Sequence, residues 1–308
     1  MSPVVTVTDL TKRYRGVTAL DRVSFSLTEN RIYGLLGRNG AGKSTLMQIL
    51  TAQSFATSGE VTVFGQQPYE NEQVLSRICF IKESQTYPSN LQVHHVLRAA
   101  RLVHSGWDEE FARQLVADFR LPPQRNVRKL SRGMLSSLGI VVGLASRAPL
   151  TFFDEPYLGL DAVARQIFYD HLLTDYTEHP RTIVLSTHLI DEVSDLIEHV
   201  LLIDQGRLLL DVEAEALRGQ VVTVSGPVAA VDEFARTGAE LHRVLLGGTA
   251  RATVRGDFGP AEHDHARSLG LGLEASSLQE LVVRLTTTSN GPAPDADRAS
   301  ATSKEAVR

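Results

Sequence analysis

Apolar and polar positions alternate at the start of the chain. VVTVTDL (4–10) and VSFSL (23–27) carry the period of two that predicts half-buried strands. RIYGLLG (31–37) is a short apolar run that ends in glycine, and STLMQILTA (44–52) reads as a short helix after it. SGEVTVFG (58–65) predicts a turn and a strand, and RICFIK (77–82) another strand. From about 90 to 147 the spacing turns helical: LQVHHVLRAARLV, then DEEFARQLVADFR, a break at LPPQ, and the run that follows LSRGM. LTFFDEP (150–156) predicts a strand buried on both faces. A helix (ARQIFYDHLLTDY), a strand (TIVLSTH), a helix (LIDEVSDLIEH) and a hairpin-like pair around Gln205-Gly206 complete the alternation.

Alternating strand and helix imply an α/β domain with a mostly parallel sheet over residues 1–212, interrupted by an all-helical insertion at about 90–147. A small α+β module of β-α-β-β-α-β pattern is expected over 213–285. Residues 286–308 lack apolar periodicity and predict a disordered tail.

Composition narrows the classes. The 308 residues leave room for about two domains. Hydrophobic residues at 43% and charged residues at 22% are ordinary for a soluble globular chain. A net charge of −5 gives no reason to expect a nucleic-acid partner. The single cysteine, Cys79, excludes a disulfide framework or a multi-cysteine zinc site and fits a reducing compartment. No apolar run approaches the roughly 18 residues that span a bilayer, and MSPVVTVTDLTKRYR has no signal-peptide h-region. Any service to a membrane is therefore expected from the cytoplasmic side and through a partner.

The chemistry concentrates in two stretches. GRNGAGKS (37–44) fits G-x-x-x-x-G-K-[S/T], between a predicted strand and a predicted helix. Its glycines (Gly37, Gly40, Gly42) let the backbone around Arg38, Asn39 and Ala41 curl onto phosphate oxygens. Lys43 would reach the β- and γ-phosphates, Ser44 would ligate Mg²⁺, and the helix opening at Lys43-Ser44-Thr45 adds its positive end. In LTFFDE, Asp154 and Glu155 follow four apolar residues. Two adjacent buried acids are costly unless a cation is near, and a Mg²⁺-nucleotide at the sheet's carboxyl edge supplies one. Asp154 would hold the metal and Glu155 would polarise the attacking water.

These features together resemble the nucleotide-binding subunit of an ABC transporter, over residues 4 to about 212. Tyr14, in KRYRGVTALDRVSFSL, is similar to the aromatic that stacks on adenine in that family. FFDEPYLGLD (152–161) looks like the Walker B segment and the D-loop, with Asp161 in the latter, and STH (186–188) like the switch-histidine loop, with His188. LSRGM stands where the family signature LSGGQ stands. The resemblance implies a P-loop ATPase of ABC type, ATP and Mg²⁺ as ligands, and a head-to-tail homodimer or heterodimer with ATP between one P-loop and the partner's Ser131–Gly133. It also implies separately encoded integral-membrane permease subunits. LQELVVRLT near the end resembles ATPases of two-component exporters, so export is favoured over import.

The chain departs from the pattern twice. Arg132 replaces a signature glycine, and Met134 replaces its glutamine. In ICFIKESQ, Glu83 ends the strand where the family has the Q-loop glutamine that touches Mg²⁺, and Gln85 follows two residues later; alignment by strand favours Glu83. The departures keep a catalytically degenerate subunit of a heterodimer among the alternatives. A soluble ABC-type ATPase acting on ribosomes or DNA is another, set against the single ATPase module and single cysteine.

The remaining features read as structural. Trp107 and Phe111, at i and i+4, are expected to pack the insertion; Cys79 is expected to be inert core. EHDH (262–265) and His94-His95 are expected to be solvated helix faces.

Overall fold

The computed structural model describes residues 3–83, 85–275 and 277–288, in two compact units, 1–219 and 220–308. The first unit runs β1 (Pro3–Tyr14), β2 (Val17–Thr28), β3 (Ile32–Leu36), α1 (Lys43–Leu50), β4 (Ser58–Val63), α2 (Glu72–Leu75) and β5 (Ile78–Ile81). It continues through α3 (Val93–Val103), α4 (Glu109–Asp118), a 3₁₀ turn (Val127–Lys129), α5 (Arg132–Ala145), β6 (Leu150–Asp154), α6 (Ala162–Glu178), β7 (Thr182–Thr187) and α7 (Ile190–Val193). β8 (His199–Asp204), β9 (Arg207–Glu213) and α8 (Ala214–Gln220) follow.

The central sheet has the order β5-β6-β7-β3-β8-β9. Its first five strands are parallel, and β9 returns antiparallel to β8 through the Gln205-Gly206 turn. Both turn residues have positive φ, 47° and 76°, as a tight hairpin requires. Every residue of β3, β6 and β7 is buried, which explains their near-continuous apolar text.

A second sheet, β2-β1-β4, is antiparallel throughout. The sequence reading of one mostly parallel sheet therefore covers only part of the first unit. Val5, Val7, Leu10 and Leu20 of the antiparallel sheet share one core with Leu46, Met47 and Leu50 of α1 and with Leu35, Phe152 and Val184 of the parallel sheet. That core holds α1, and with it the loop that precedes it, against both sheets.

α5 is buried from Ser137 to Ala145, so its apolar residues run around the whole helix. It packs on β5 and β6 without room to spare: a Cβ at Gly143 would strike the Phe153 ring and Ile81. Phe153 in turn meets Phe168 of α6 edge-on, with ring centroids 5.4 Å apart. Trp107 Nε1 donates to Glu109, and the Phe111 ring lies edge-on to His171, 5.8 Å between centroids. Cys79 is buried on β5, and burial pushes its thiol up to about 11.

The second unit follows β10 (Val221–Pro227), α9 (Val228–Ala235), β11 (Ala239–Leu246), β12 (Thr249–Arg255), α10 (Pro260–Ser268), β13 (Gly272–Ala275) and α11 (Leu278–Thr288). Its sheet has the antiparallel order β11-β12-β10-β13. Val222, Val224, Val231, Phe234, Ala252 and Ala266 fill its core. The EHDH segment lies on α10, where the His265 ring stacks on Phe234 at 6.1 Å; among the described residues no cluster of His, Cys, Asp and Glu could hold a metal. Of the tail expected over 286–308, residues 286–288 close α11 and the rest lies outside the described residues.

At the starts of β6 and β7, Asp175 of α6 lies between two arginines: Arg147 Nη2 at 2.9 Å and Arg181 Nη1 at 2.6 Å. Arg147 also reaches Asp108, the N-cap of α4, at 2.9 Å and so ties the helical insertion to α6. Asp175 and Arg181 are both buried. Removing one member of a buried pair strands the other charge at a cost of about 3–5 kcal/mol. Asp175→Ala should therefore lower unfolding stability by about that amount in urea titration. Nucleotide affinity of the folded fraction should be unchanged, because the pair lies at the opposite ends of the strands from the phosphate loop.

Candidate functional site

The site is built where three adjacent parallel strands stop. β6, β7 and β3 end at Asp154, Thr187 and Leu36, and each is followed by a loop that carries polar groups. A cleft of about 930 Å³ is lined by Gly40 to Thr45, Glu83, Arg132, Glu155 and His188, with Val17, Thr18 and Ala19 at one side.

The phosphate loop is shaped by its glycines. Gly42 has φ 111°, and a Cβ there would lie 2.5 Å from the Ala19 carbonyl; Gly37 has φ 149° and abuts the Ile203 carbonyl. Only glycine fits either place without strain. Gly42 leads directly into α1, so the unpaired N–H groups of that helix face the cleft. The Lys43 ammonium is 6% exposed; it donates to the Gly37 carbonyl at 2.8 Å and to that of Arg38 at 3.4 Å.

Asp154 and Glu155 are 5% and 7% exposed. Burial pushes the Asp154 carboxyl above its ordinary range, and the Ser44 hydroxyl partly counters this by hydrogen bonding. Asp154 Oδ1 is buried with no hydrogen-bond partner among the described residues. An orphaned carboxylate oxygen beside a serine hydroxyl is the donor set that a hard divalent cation takes, so these residues fit Mg²⁺. Glu155 adopts φ 49°, an uncommon conformation for a side-chain-bearing residue, and its Oε1 lies 3.5 Å from Lys43 Nζ. The other oxygen, Oε2, meets His188 Nδ1 at 2.7 Å and the hydroxyl of Tyr157.

The remaining expected site residues fall as follows. Ser131 caps α5, its hydroxyl accepting from the Met134 N–H at 3.2 Å. Gly133 passes so close to Gly159 that a Cβ would lie 2.6 Å from the Gly159 carbonyl, and Ser136 donates to the Leu158 carbonyl at 2.6 Å. The first turns of α5 are thus keyed to the loop after β6. Asp161 caps α6 by accepting from the Ala164 N–H at 2.8 Å. Glu83 faces the cleft, whereas the Gln85 side chain folds back to accept from the Lys82 N–H at 3.4 Å. Tyr14 ends β1, 48% exposed, with Lys12 Nζ 4.8 Å from its ring centre; Val17, not Tyr14, lines the cleft.

Two contacts were not visible as motifs. Arg132 Nη2 lies 3.4 Å from Glu83 Oε1, so the two residues expected to depart from the family pattern meet each other. Tyr157, within the D-E-P-Y segment, is 3% exposed and touches both Glu155 and the His188 loop.

The arrangement can bind a polyphosphate by backbone N–H groups and a buried ammonium, hold a divalent cation on Asp154 and Ser44, and offer a carboxylate to a water. Similarity to known proteins agrees. The family model described as ABC transporter matches residues 20–158. The bacitracin transport ATP-binding protein BcrA of Bacillus licheniformis is 31% identical over 224 residues, 71% of this chain and 72% of that protein. The uncharacterized ABC transporter ATP-binding protein YcbN of Bacillus subtilis is 32% identical over 228 residues, 71% of this chain and 73% of its own. A solved structure of an ATP-binding subunit of an ABC transporter superposes with a TM-score of 0.63 at 24% identity, over 70% of this chain and 92% of that one, and so shares the fold. With its phosphate loop, buried acid pair and histidine gathered on one sheet edge, the chain belongs to the ATP-binding proteins of ABC transporters, a family of ATPases.

Proposed function

We propose that the protein hydrolyses ATP to drive an exporter, working in pairs beneath separately encoded membrane subunits. One observation carries the reading: Lys43, Glu155 and His188 converge from three adjacent strand ends on a single cleft, with Asp154 buried beside Ser44 at its wall. Residues 37–45 hold the triphosphate, with Tyr14 at the adenine. Asp154, Ser44 and Glu83 are the groups that would hold Mg²⁺, which neutralises phosphate charge when bound. Glu155 accepts the proton of the attacking water, and His188 steadies the γ-phosphate. Ser131 and Gly133 of a second subunit close over the same γ-phosphate, with Asp161 in the loop between the two sites. Such chemistry needs mainly positioning and electrostatic stabilisation, which a stiff, buried strand edge supplies.

No helix among the described residues is long and apolar enough to cross a membrane, which supports a peripheral subunit at the cytoplasmic face. Export rests on the resemblance of LQELVVRLT, most of α11, to the ends of two-component export ATPases. The similarity to a bacitracin transport protein is compatible with it. Efflux from cells carrying the chain and its permease, lost on Lys43→Ala, is the expected result; cargo accumulation inside cells would reverse the direction.

Glu155→Gln keeps shape and hydrogen bonding and removes the base. ATP binding should survive while turnover falls about a hundredfold or more, and the variant should accumulate as an ATP-dependent dimer on size exclusion. Lys43→Ala should lose ATP binding and the dimer together. Wild-type turnover by Glu155→Gln would bring forward a degenerate subunit that leans on a competent partner.

The Arg132–Glu83 pair is exposed, and such pairs contribute about 0–1 kcal/mol. Since Ser131 and the backbone at Gly133 carry the proposed phosphate contact, Arg132→Gly should leave ATPase activity within about tenfold, or 1.4 kcal/mol in barrier. Complete loss of turnover would identify the guanidinium itself as a phosphate ligand.

A further inference from the structure

The Tyr157 hydroxyl is the centre of a small buried network joining β6 to β7. It meets Glu155 Oε2; it lies 2.7 Å from Thr187 Oγ1, and it accepts from the His188 backbone N–H at 3.0 Å. The Leu189 N–H donates to Thr187 Oγ1 at 2.9 Å. The His188 ring also lies against the tyrosine ring, with centroids 5.9 Å apart.

Counting protons fixes the direction of this network. A phenol has one proton and two lone pairs. The His188 N–H can only donate, so it takes one lone pair. An ionised Glu155 can only accept, so the phenol proton points at Oε2. Thr187 Oγ1 already accepts from Leu189 and must turn its own proton to the second lone pair of Tyr157. His188 Nδ1, 2.7 Å from the same Oε2, then carries a proton towards it. Oε2 thus receives two donors. Oε1 has no hydrogen-bond partner among the described residues and has only the Lys43 ammonium at 3.5 Å. Burial and the Glu155 charge push the phenol far above its ordinary range, so it remains a donor at any working pH.

We propose that Tyr157 is a positioning residue for hydrolysis: its hydroxyl, oriented by Thr187 and the His188 amide, pins Oε2 of Glu155 and so assigns Oε1 as the oxygen that meets the water. The inference rests on Glu155 as the base. Tyr157 is buried behind the cleft lining, and it acts by selecting one rotamer of the carboxylate. It also couples that rotamer to the His188 loop, so the two groups move as one. The left-handed backbone at Glu155 is the strained point the network holds in place.

Tyr157→Phe deletes the hydroxyl and keeps the ring. In the full-length protein, kcat should fall about tenfold or more, on the scale of a misplaced reacting group, while the KM for ATP stays within about threefold. A double-mutant cycle separates positioning from general destabilisation. Measured by single-turnover ATP hydrolysis, Tyr157→Phe should cost nothing further in a Glu155→Gln background, because the carboxylate it orients is gone. Thr187→Val, which removes the donor that turns the phenol, should lower kcat in the same direction with the same non-additivity, and carries the test should Tyr157→Phe not fold. Wild-type kcat in Tyr157→Phe beside an inactive Glu155→Gln overturns the positioning role and leaves the base in place. Additive losses in the double variant also overturn it. Wild-type turnover in Glu155→Gln removes the base, and with it the premise.

Discussion

Two adjacent carboxylates, Asp154 and Glu155, are buried at the end of a strand whose other residues are all apolar or enclosed. Among the described residues, the buried ammonium facing them is Lys43, 3.5 Å from Glu155. Burial of uncompensated charge costs several kcal/mol per ion, so the strand end is unfavourable by itself. The rest of the first unit answers that constraint. Parallel strands in the order β6-β7-β3 bring the acid pair, the histidine loop and the glycine loop side by side. The core around α1 fixes the lysine at the height of the acids. Asp154 still carries an unpartnered oxygen and a raised affinity for protons. The site is short of positive charge, and a divalent cation beside Ser44 would restore the balance.

The parts of this arrangement that could be read from sequence are those in which chemistry and backbone geometry lie within one contiguous segment. GRNGAGKS announces a strand, a turn that only glycine can make, and a helix start within a single segment. LTFFDEP announces a buried strand and its acids together. The three-stranded antiparallel sheet was not legible, because alternation in β1 gives the face of each residue and not its partner. Val5 pairs across the sheet with Val63, a contact set by the turn chemistry of the intervening chain and by the shared core. The outward position of Tyr14 has the same origin. Its place in the motif follows from local spacing, but its distance from the cleft depends on how the β1–β2 ribbon twists.

Tyr157 shows the limit more sharply. In the text it is one of two letters between D-E-P and G-L-D, and it resembles a spacer. Its polar contacts are Glu155 just after β6, Thr187 at the end of β7 and His188 just after it, so its role exists only once those strands are neighbours. A buried tyrosine must place its hydroxyl somewhere. Here the available partners are the acid and the histidine loop of the cleft, and solvation of the phenol becomes order at the site.

Arg132 and Glu83 pose the converse problem, since each alone looks like damage. A cation where the resemblance puts glycine, and a carboxylate where it puts glutamine, would both disturb phosphate chemistry if free. They lie 3.4 Å apart across the cleft, between the start of α5 and the loop after β5. Neither side chain is buried, so the pair adds little to stability. Its effect is on the field within the cleft: the added charges cancel at a distance, and both groups line the same cleft as the phosphate loop. Two substitutions that look degenerate one at a time are thus electrostatically complementary as a pair, and the fold supplies the proximity that makes them so.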